Sequence, residues 1–215
     1  MSGKRSPITD RATTVFIVDD DASVRKSLSR LLDSLGFATE AFASADEFLK
    51  RERYEGIGCI ILDVRMPGLS GMDLQEELNR ADYTLPIIFI TGHGDIPMSV
   101  KAMKKGAVDF LPKPFDEKEL RDALNRAIER DRAAKADRAA TRGILEHIGQ
   151  LTPREHEILQ YLITGMLNKQ IAFRLGIAEK TVKIHRARVF EKLGASSVAE
   201  LVRMAEKAGI EPPSG

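Results

Sequence analysis

Val15-Phe16-Ile17-Val18-Asp19-Asp20-Asp21 is four apolar residues that break abruptly into three carboxylates. A short, wholly apolar run ended by polar residues reads as a parallel strand buried on both faces. Runs of the same kind recur at residues 59–62, 86–90 and 108–111, whereas residues 38–42 alternate polar and apolar as a sheet edge does. Helix-period stretches separate them. Val24, Leu28, Leu31, Leu32 and Leu35 form one apolar stripe, Ser44-Ala-Asp-Glu47 and Asp116-Glu-Lys-Glu119 are capping-box patterns, and Asp95 with Pro97 marks another helix start. The alternation predicts an α/β domain over residues 14–125, a five-stranded parallel sheet with helices on both faces, preceded by a flexible N-terminus at residues 1–13.

The whole chain, 215 residues with 33 basic and 32 acidic side chains and 43% apolar residues, suits two modest globular domains. Its near-zero net charge names no partner. No run approaches the roughly 18 apolar residues that span a bilayer, and the N-terminus lacks a signal-peptide core, so a cytoplasmic protein with no membrane partner is expected. The single cysteine, Cys59, sits in an apolar run and reads as a buried structural thiol.

From Asp116 the helical pattern continues to about Ile148 through alanines and mixed charge, which makes residues 126–149 a helical linker. Residues 150–215 hold four helix-sized segments and no strand signal. Thr152-Pro-Arg-Glu155 joins an N-cap, a first-turn proline and a capping-box glutamate. A short helix ending at Gly176, followed by one from about Glu179 to Leu193, suggests a helix-turn-helix in an all-α four-helix domain.

In a parallel sheet the ligand site lies beyond the carboxyl ends of the strands. Asp19, Asp20 and Asp21 follow the first strand, Asp63 the third, Thr91 the fourth and Lys113 the fifth. With a flavodoxin-like strand order the first and third strands are neighbours, and Asp19, Asp20 and Asp63 converge. Clustered carboxylates repel unless a hard cation neutralises them, and Mg²⁺ is the natural one, binding one or two carboxylates and phosphate oxygens. One carboxylate is then free to become an acyl phosphate, with Lys113 and Thr91 stabilising the phosphoryl oxygens.

The motifs Val15-Phe-Ile-Val-Asp-Asp-Asp21, Ile61-Leu-Asp-Val-Arg-Met-Pro-Gly68, Ile90-Thr-Gly-His-Gly94 and Gly106-Ala-Val-Asp-Phe-Leu-Pro-Lys-Pro-Phe115 resemble, in order, those of CheY-like receiver domains. The resemblance implies that Asp63 is the phosphoacceptor, Asp20 a direct Mg²⁺ ligand, Asp19 a ligand largely through water, and the Arg65 carbonyl a further ligand. It also implies that Lys113 pairs with the phosphoryl group, that Thr91 and Phe110 form a switch pair, and that the Lys113-Pro114 bond is cis. Two departures stand out. Phe110 replaces the frequent tyrosine, so its ring can bury without a hydroxyl to satisfy, and Arg65 replaces the frequent asparagine, which a carbonyl ligand tolerates.

Between Lys169 and Lys192 the chain carries seven basic residues and two acidic ones, a local excess of the kind that binds phosphates. Leu151-Thr-Pro-Arg-Glu155, Asn168-Lys-Gln-Ile-Ala172 and Thr181-Val-Lys-Ile-His-Arg186 with Lys192-Leu-Gly194 resemble the LuxR-type helix-turn-helix of the NarL/FixJ class. On that resemblance the third helix enters the major groove of double-stranded promoter DNA. Lys183, Ile184 and Arg186 or Arg188 lie near base edges, and Lys169, Thr181 and His185 hold phosphates. His185 and His156 have no neighbours at metal-ligand spacing.

Together the halves resemble a two-component response regulator. The resemblance implies a sensor histidine kinase as donor, a receiver homodimer on phosphorylation, and RNA polymerase downstream. Two other readings stand beside it: an adaptor whose C-terminal helices bind a protein, and a phosphatase with an aspartyl intermediate. The phosphatase needs a second acid two residues after the nucleophile, where Arg65 stands.

Overall fold

Alternating buried strands and amphipathic helices build the first half of a computed structural model that describes residues 13–92 and 96–213. Most of the expected flexible N-terminus, and the expected helix cap Asp95, lie outside the described residues. The elements run β1 (Thr13–Val18), α1 (Ala22–Ser34), β2 (Ala38–Phe42), α2 (Ala45–Leu49), β3 (Ile57–Asp63), α3 (Gly71–Arg80), β4 (Ile87–Thr91), α4 (Ile96–Lys104), β5 (Asp109–Pro112) and α5 (Glu117–Ile148). All five strands pair in parallel in the order β2-β1-β3-β4-β5, the CheY-like arrangement expected. The alternating strand β2 is an edge, and β1 and β3 are neighbours with Val18 opposite Leu62.

The sheet buries side chains on both faces, which is why its central strands are apolar throughout. Val15, Ile17, Cys59 and Ile61 pack with Leu28 and Leu32 of α1 and Leu120, Leu124 and Ile128 of α5. Phe16, Val18, Ile60 and Leu62 pack with Phe48 of α2, Leu74 and Leu78 of α3 and Ala102 of α4. Each such aliphatic or aromatic side chain contributes about 1.5–3 kcal/mol by leaving water. Burial also pushes the Cys59 thiol far above its ordinary pKa, consistent with a structural cysteine.

Helix α5 changes character along its length. Ala127 and Ile128, inside the segment expected as linker, are fully buried in the first core, and the buried Asp131 carboxylate accepts the Gly58 N–H at 2.9 Å. Beyond Asp131 its side chains are mostly exposed, and the chain divides into two compact units between Ala134 and Lys135.

The second unit continues with α6 (Pro153–Leu162), α7 (Asn168–Leu175), α8 (Glu179–Leu193) and α9 (Val198–Ala208). Thr152 caps α6 through the expected box: Glu155 N–H donates to Thr152 Oγ1 at 3.3 Å and Thr152 N–H to Glu155 Oε2 at 2.9 Å. Gly176 takes a φ of 62° in the turn between α7 and α8, a left-handed conformation that favours glycine. Ile158, Leu162, Ile171, Val182, Val189 and Leu201 meet in one core.

Candidate functional site

The sheet register decides what can meet at the carboxyl ends of the strands. Val18 lies opposite Leu62, so Asp19 leaves β1 beside Asp63, the last residue of β3. Both are buried, and Lys113, which follows β5, bridges them: its Nζ donates to Asp19 Oδ2 at 2.8 Å and to Asp63 Oδ1 at 2.9 Å. Backbone donors hold the remaining oxygens, with Asp21 N–H on Asp19 Oδ1 and Arg65 N–H on Asp63 Oδ2, each at 2.8 Å. Asp21 itself caps α1, accepting from the Ser23 and Val24 N–H groups. The Lys113-Pro114 peptide is cis, as the motif resemblance implied.

Charge in this pocket is finely opposed. Burial pushes the Asp63 carboxyl above its ordinary value, more than the Lys113 ammonium and the Arg65 N–H pull it down. Burial pulls the Lys113 ammonium down, but its hydrogen bonds to Asp19 and Asp63 outweigh that and leave it above its ordinary value. Lys113 therefore carries a full positive charge between two oxygen clusters.

Thr91 is buried at the end of β4, and its carbonyl accepts the Lys113 N–H at 2.7 Å. Phe110 is half-buried in β5, its ring centroid 6.2 Å from that of Phe89, packed against the second core. Asp20 and Arg65 are exposed. The structure thus brings together Asp19, Asp63 and Lys113, with Thr91 adjoining through the backbone. Among the described residues no three acidic, histidine or cysteine side chains converge tightly enough to hold a metal by themselves. The donor chemistry still fits Mg²⁺: the groups are all hard oxygens, and this ion commonly takes only one or two carboxylates, completing its six positions with water, carbonyl and phosphate oxygens.

Two residues that shape the pocket escaped the sequence reading. Arg25 on α1 donates through Nη1 to the Asp19 carbonyl at 2.7 Å, which no motif announces. Gly71, the first residue of α3, packs so closely under β3 that a Cβ there would lie 2.1 Å from the Asp63 carbonyl oxygen. A glycine directly after the capping residue Ser70 was the available signal.

On the second unit, α8 buries Val182, Val189 and Leu193 and leaves Lys183, Ile184, Ala187 and Arg188 exposed, with Thr181, His185 and Arg186 half-buried. Lys183 pairs with Glu179 at 3.1 Å one turn back. Arg186 reaches inward: Nη1 lies 3.4 Å from Asn168 Oδ1 on α7, and its guanidinium stacks 5.2 Å from the Phe190 ring centroid. His185 Nδ1 is buried without a hydrogen-bond partner, and Lys169 is exposed on α7. No side chain caps α8, because Ala178 stands at its N-cap. Lys192 anchors the helix instead, its Nζ 2.6 Å from Glu155 Oε2 and 3.0 Å from the Gln150 carbonyl. That ion pair, with the Thr152 N–H, holds the buried Glu155 carboxyl down to about 2.

Residues 15–125 match the family model for the response regulator receiver domain, and residues 149–205 that for bacterial regulatory proteins of the luxR family. Nodulation protein W of Bradyrhizobium diazoefficiens is 50% identical over 196 residues, which are 91% of this chain and 86% of that protein. A solved structure of the response regulator StyR shares 49% identity and a TM-score of 0.81, covering 91% of this chain and 99% of StyR. Full-length FixJ from B. japonicum shares 41% identity and a TM-score of 0.55, covering 92% and 97% of the two chains. Among the described residues no helix is long and apolar enough to cross a membrane.

Proposed function

The chain belongs to the response-regulator family, a receiver domain joined to a luxR-type helix-turn-helix, and from that premise we propose that Asp63 is the phosphoacceptor through which a sensor histidine kinase controls promoter binding. The protein is a phosphorylation-dependent transcription regulator and not an enzyme. The observation that carries the residue assignment is the Lys113 ammonium bridging the buried carboxylates of Asp19 and Asp63 at 2.8 and 2.9 Å. A cation so placed offsets the negative charge that gathers when a phosphate approaches a carboxylate.

In the proposed step an Asp63 oxygen attacks the phosphorus of a phosphohistidine, the P–N bond breaks with its electron pair returning to the imidazole, and an acyl phosphate forms. Asp19, Asp20, Asp63 and the Arg65 carbonyl would hold Mg²⁺, whose charge when bound neutralises phosphoryl oxygens. Lys113 exchanges its Asp63 contact for a phosphoryl oxygen. Thr91 turns its hydroxyl toward the same group, and Phe110 fills the space released. This is a population shift, biased by the difference in contact energy between the two states.

The output is proposed to be pairing of receivers into a homodimer. Ile96, Val100 and Met103 of α4 are 79%, 45% and 45% exposed and recur at a spacing that lines one helix face, an apolar surface suited to a partner. Two helix-turn-helix units then meet symmetric half-sites about one helical turn apart. Lys183, Ile184 and either Arg186 or Arg188 lie near base edges, the exposed Arg188 being the better placed because Arg186 is engaged with Asn168 and Phe190, and Lys169, Thr181 and His185 hold phosphates. Of the expected linker 126–149, the exposed part of α5 beyond Asp131 connects the two units, RNA polymerase is the downstream partner, and the setting is the cytoplasm. The adaptor reading is not favoured, because the exposed face of α8 is basic and the luxR-family match covers it.

Selection of genomic DNA fragments by the purified protein, with and without beryllofluoride and Mg²⁺ at one fixed salt concentration, tests this. Symmetric sites enriched only in the treated sample are expected, and the Asp63→Asn protein should behave as untreated in both. Equal enrichment by wild type in both samples would remove the phosphorylation switch from the DNA-binding step.

A further inference from the structure

Three of the acids gathered at the strand ends are already engaged. Asp19 accepts from Lys113 Nζ and the Asp21 N–H, Asp63 from Lys113 Nζ and the Arg65 N–H, and Asp21 from the Ser23 and Val24 N–H groups. Asp20 is exposed, and among the described residues its carboxylate accepts no hydrogen bond and pairs with no cation. Nothing at the tip of this side chain sets its direction, which leaves the backbone to do so.

That backbone is held on both sides of Asp20. The peptide before it is fastened through the Asp19 carbonyl, which accepts from Arg25 Nη1 of α1 at 2.7 Å. The peptide after it is fastened through the Asp21 N–H, which donates to Asp19 Oδ1 at 2.8 Å. Each peptide unit is planar, so pinning the two planes restricts both dihedrals of Asp20 and with them the direction of its Cα–Cβ bond. The Asp19 N–H, donated to the Phe42 carbonyl at 3.3 Å, ties the start of this loop to β2. Arg25 is half-buried, and although guanidinium groups commonly fork onto carboxylates, it pairs with none among the described residues. It fastens the loop without consuming an acid.

We propose that Arg25 is a positioning residue for Mg²⁺: by holding the Asp19 carbonyl it fixes the direction of the Asp20 carboxylate, and so sets how tightly the acid cluster takes the ion. This rests on the proposed assignment of Asp20 as a ligand. Two effects of Arg25 oppose each other, because its positive charge also repels a dication. Their signs differ: losing the positioning weakens binding, whereas losing the charge tightens it. The weakening expected on removal is about tenfold, or about 1.4 kcal/mol, the scale of leaving one residue's backbone unordered until the ion arrives.

The test titrates Mg²⁺ into the full-length protein and reads binding from amide NMR shifts, the same spectra showing whether each variant is folded. Asp20→Ala and Arg25→Met should each weaken binding about tenfold. Arg25→Gln, equally neutral and too short to reach the carbonyl, should match Arg25→Met and takes its place if that variant does not fold. In an Asp20→Ala background Arg25→Met should change the affinity by less than about twofold, because it acts through Asp20. A general loosening of α1 would instead give the same loss in both backgrounds and overturn the proposal, as would an Arg25→Met protein that binds Mg²⁺ as tightly as wild type or more tightly. If wild type binds no Mg²⁺, or Asp20→Ala binds it like wild type, the assignment of Asp20 as a ligand falls first, and the positioning role with it.

Discussion

Asp63 sits where two demands oppose each other, since a nucleophilic carboxylate must be ionised while burial favours its neutral form. Lys113 on one oxygen and the Arg65 N–H on the other counter that burial, and both contacts depend on where the backbone at the end of β3 lies. Gly71 fixes that position from below. Gly71→Ala brings a methyl group within 2.1 Å of the Asp63 carbonyl oxygen, so the strand end must move. The expected cost is about 1–3 kcal/mol of stability, as for other overpacked sites, with a slower phosphorylation rate from a small-molecule phosphodonor. Denaturant unfolding and phosphorylation kinetics of the variant check the two effects, and an unchanged rate would mean the pocket tolerates the shift.

The helix that carries the proposed DNA contacts is held in place by an element-scale device. Lacking a side-chain N-cap, α8 is fastened near its other end, where Lys192 pairs with Glu155, the capping-box residue of α6. The Glu155 carboxyl titrates near 2 in the folded unit against an ordinary 4.5. A lowered folded-state value means the contact stabilises fully above about pH 4.5 and is lost as the pH falls toward 2. Hydrogen-exchange protection of α6 and α8 amides should therefore drop across that window, and in Glu155→Gln the drop should be absent. Lys192→Met should lower stability at neutral pH by about 2 kcal/mol, the scale of a hydrogen bond to a charged group. Protection that is flat from pH 5 to pH 2 in wild type would sink the linkage.

At the scale of the molecule, the proposed switch requires an event at Asp63 to alter a surface on α4. The apolar residues of that helix face two ways: Ala102 is fully buried in the second core and Met98 packs half-buried against it, while Ile96, Val100 and Met103 face solvent. Val100→Asp should leave acyl-phosphate formation intact and weaken beryllofluoride-induced dimerisation about tenfold or more, read by sedimentation. Dimerisation as tight as wild type would move the pairing surface elsewhere.

Much of this was legible in the residues. The apolar runs at 15–18 and 59–62, each closed by aspartate, mark strands because a chain buried on both faces has no room for polar alternation. Thr152-Pro-Arg-Glu155 announced α6 because capping is local chemistry, complete within four residues. Boundaries shifted where neighbours intervened: β1 begins at Thr13 and β3 at Ile57 because they pair with each other, a contact across the sheet that neither sequence displays alone. The acids, threonine and lysine at the strand ends were sequence facts. That Lys113 bridges Asp19 to Asp63 while Asp20 stays exposed was decided by strand register and loop path. So were the close approach of Gly71, the Arg25 contact to the Asp19 carbonyl, and the Lys192 anchor, because each joins atoms distant in the chain. Local propensity and periodicity reside in neighbouring residues and can be read from them, whereas distances between elements exist only once the cores have packed.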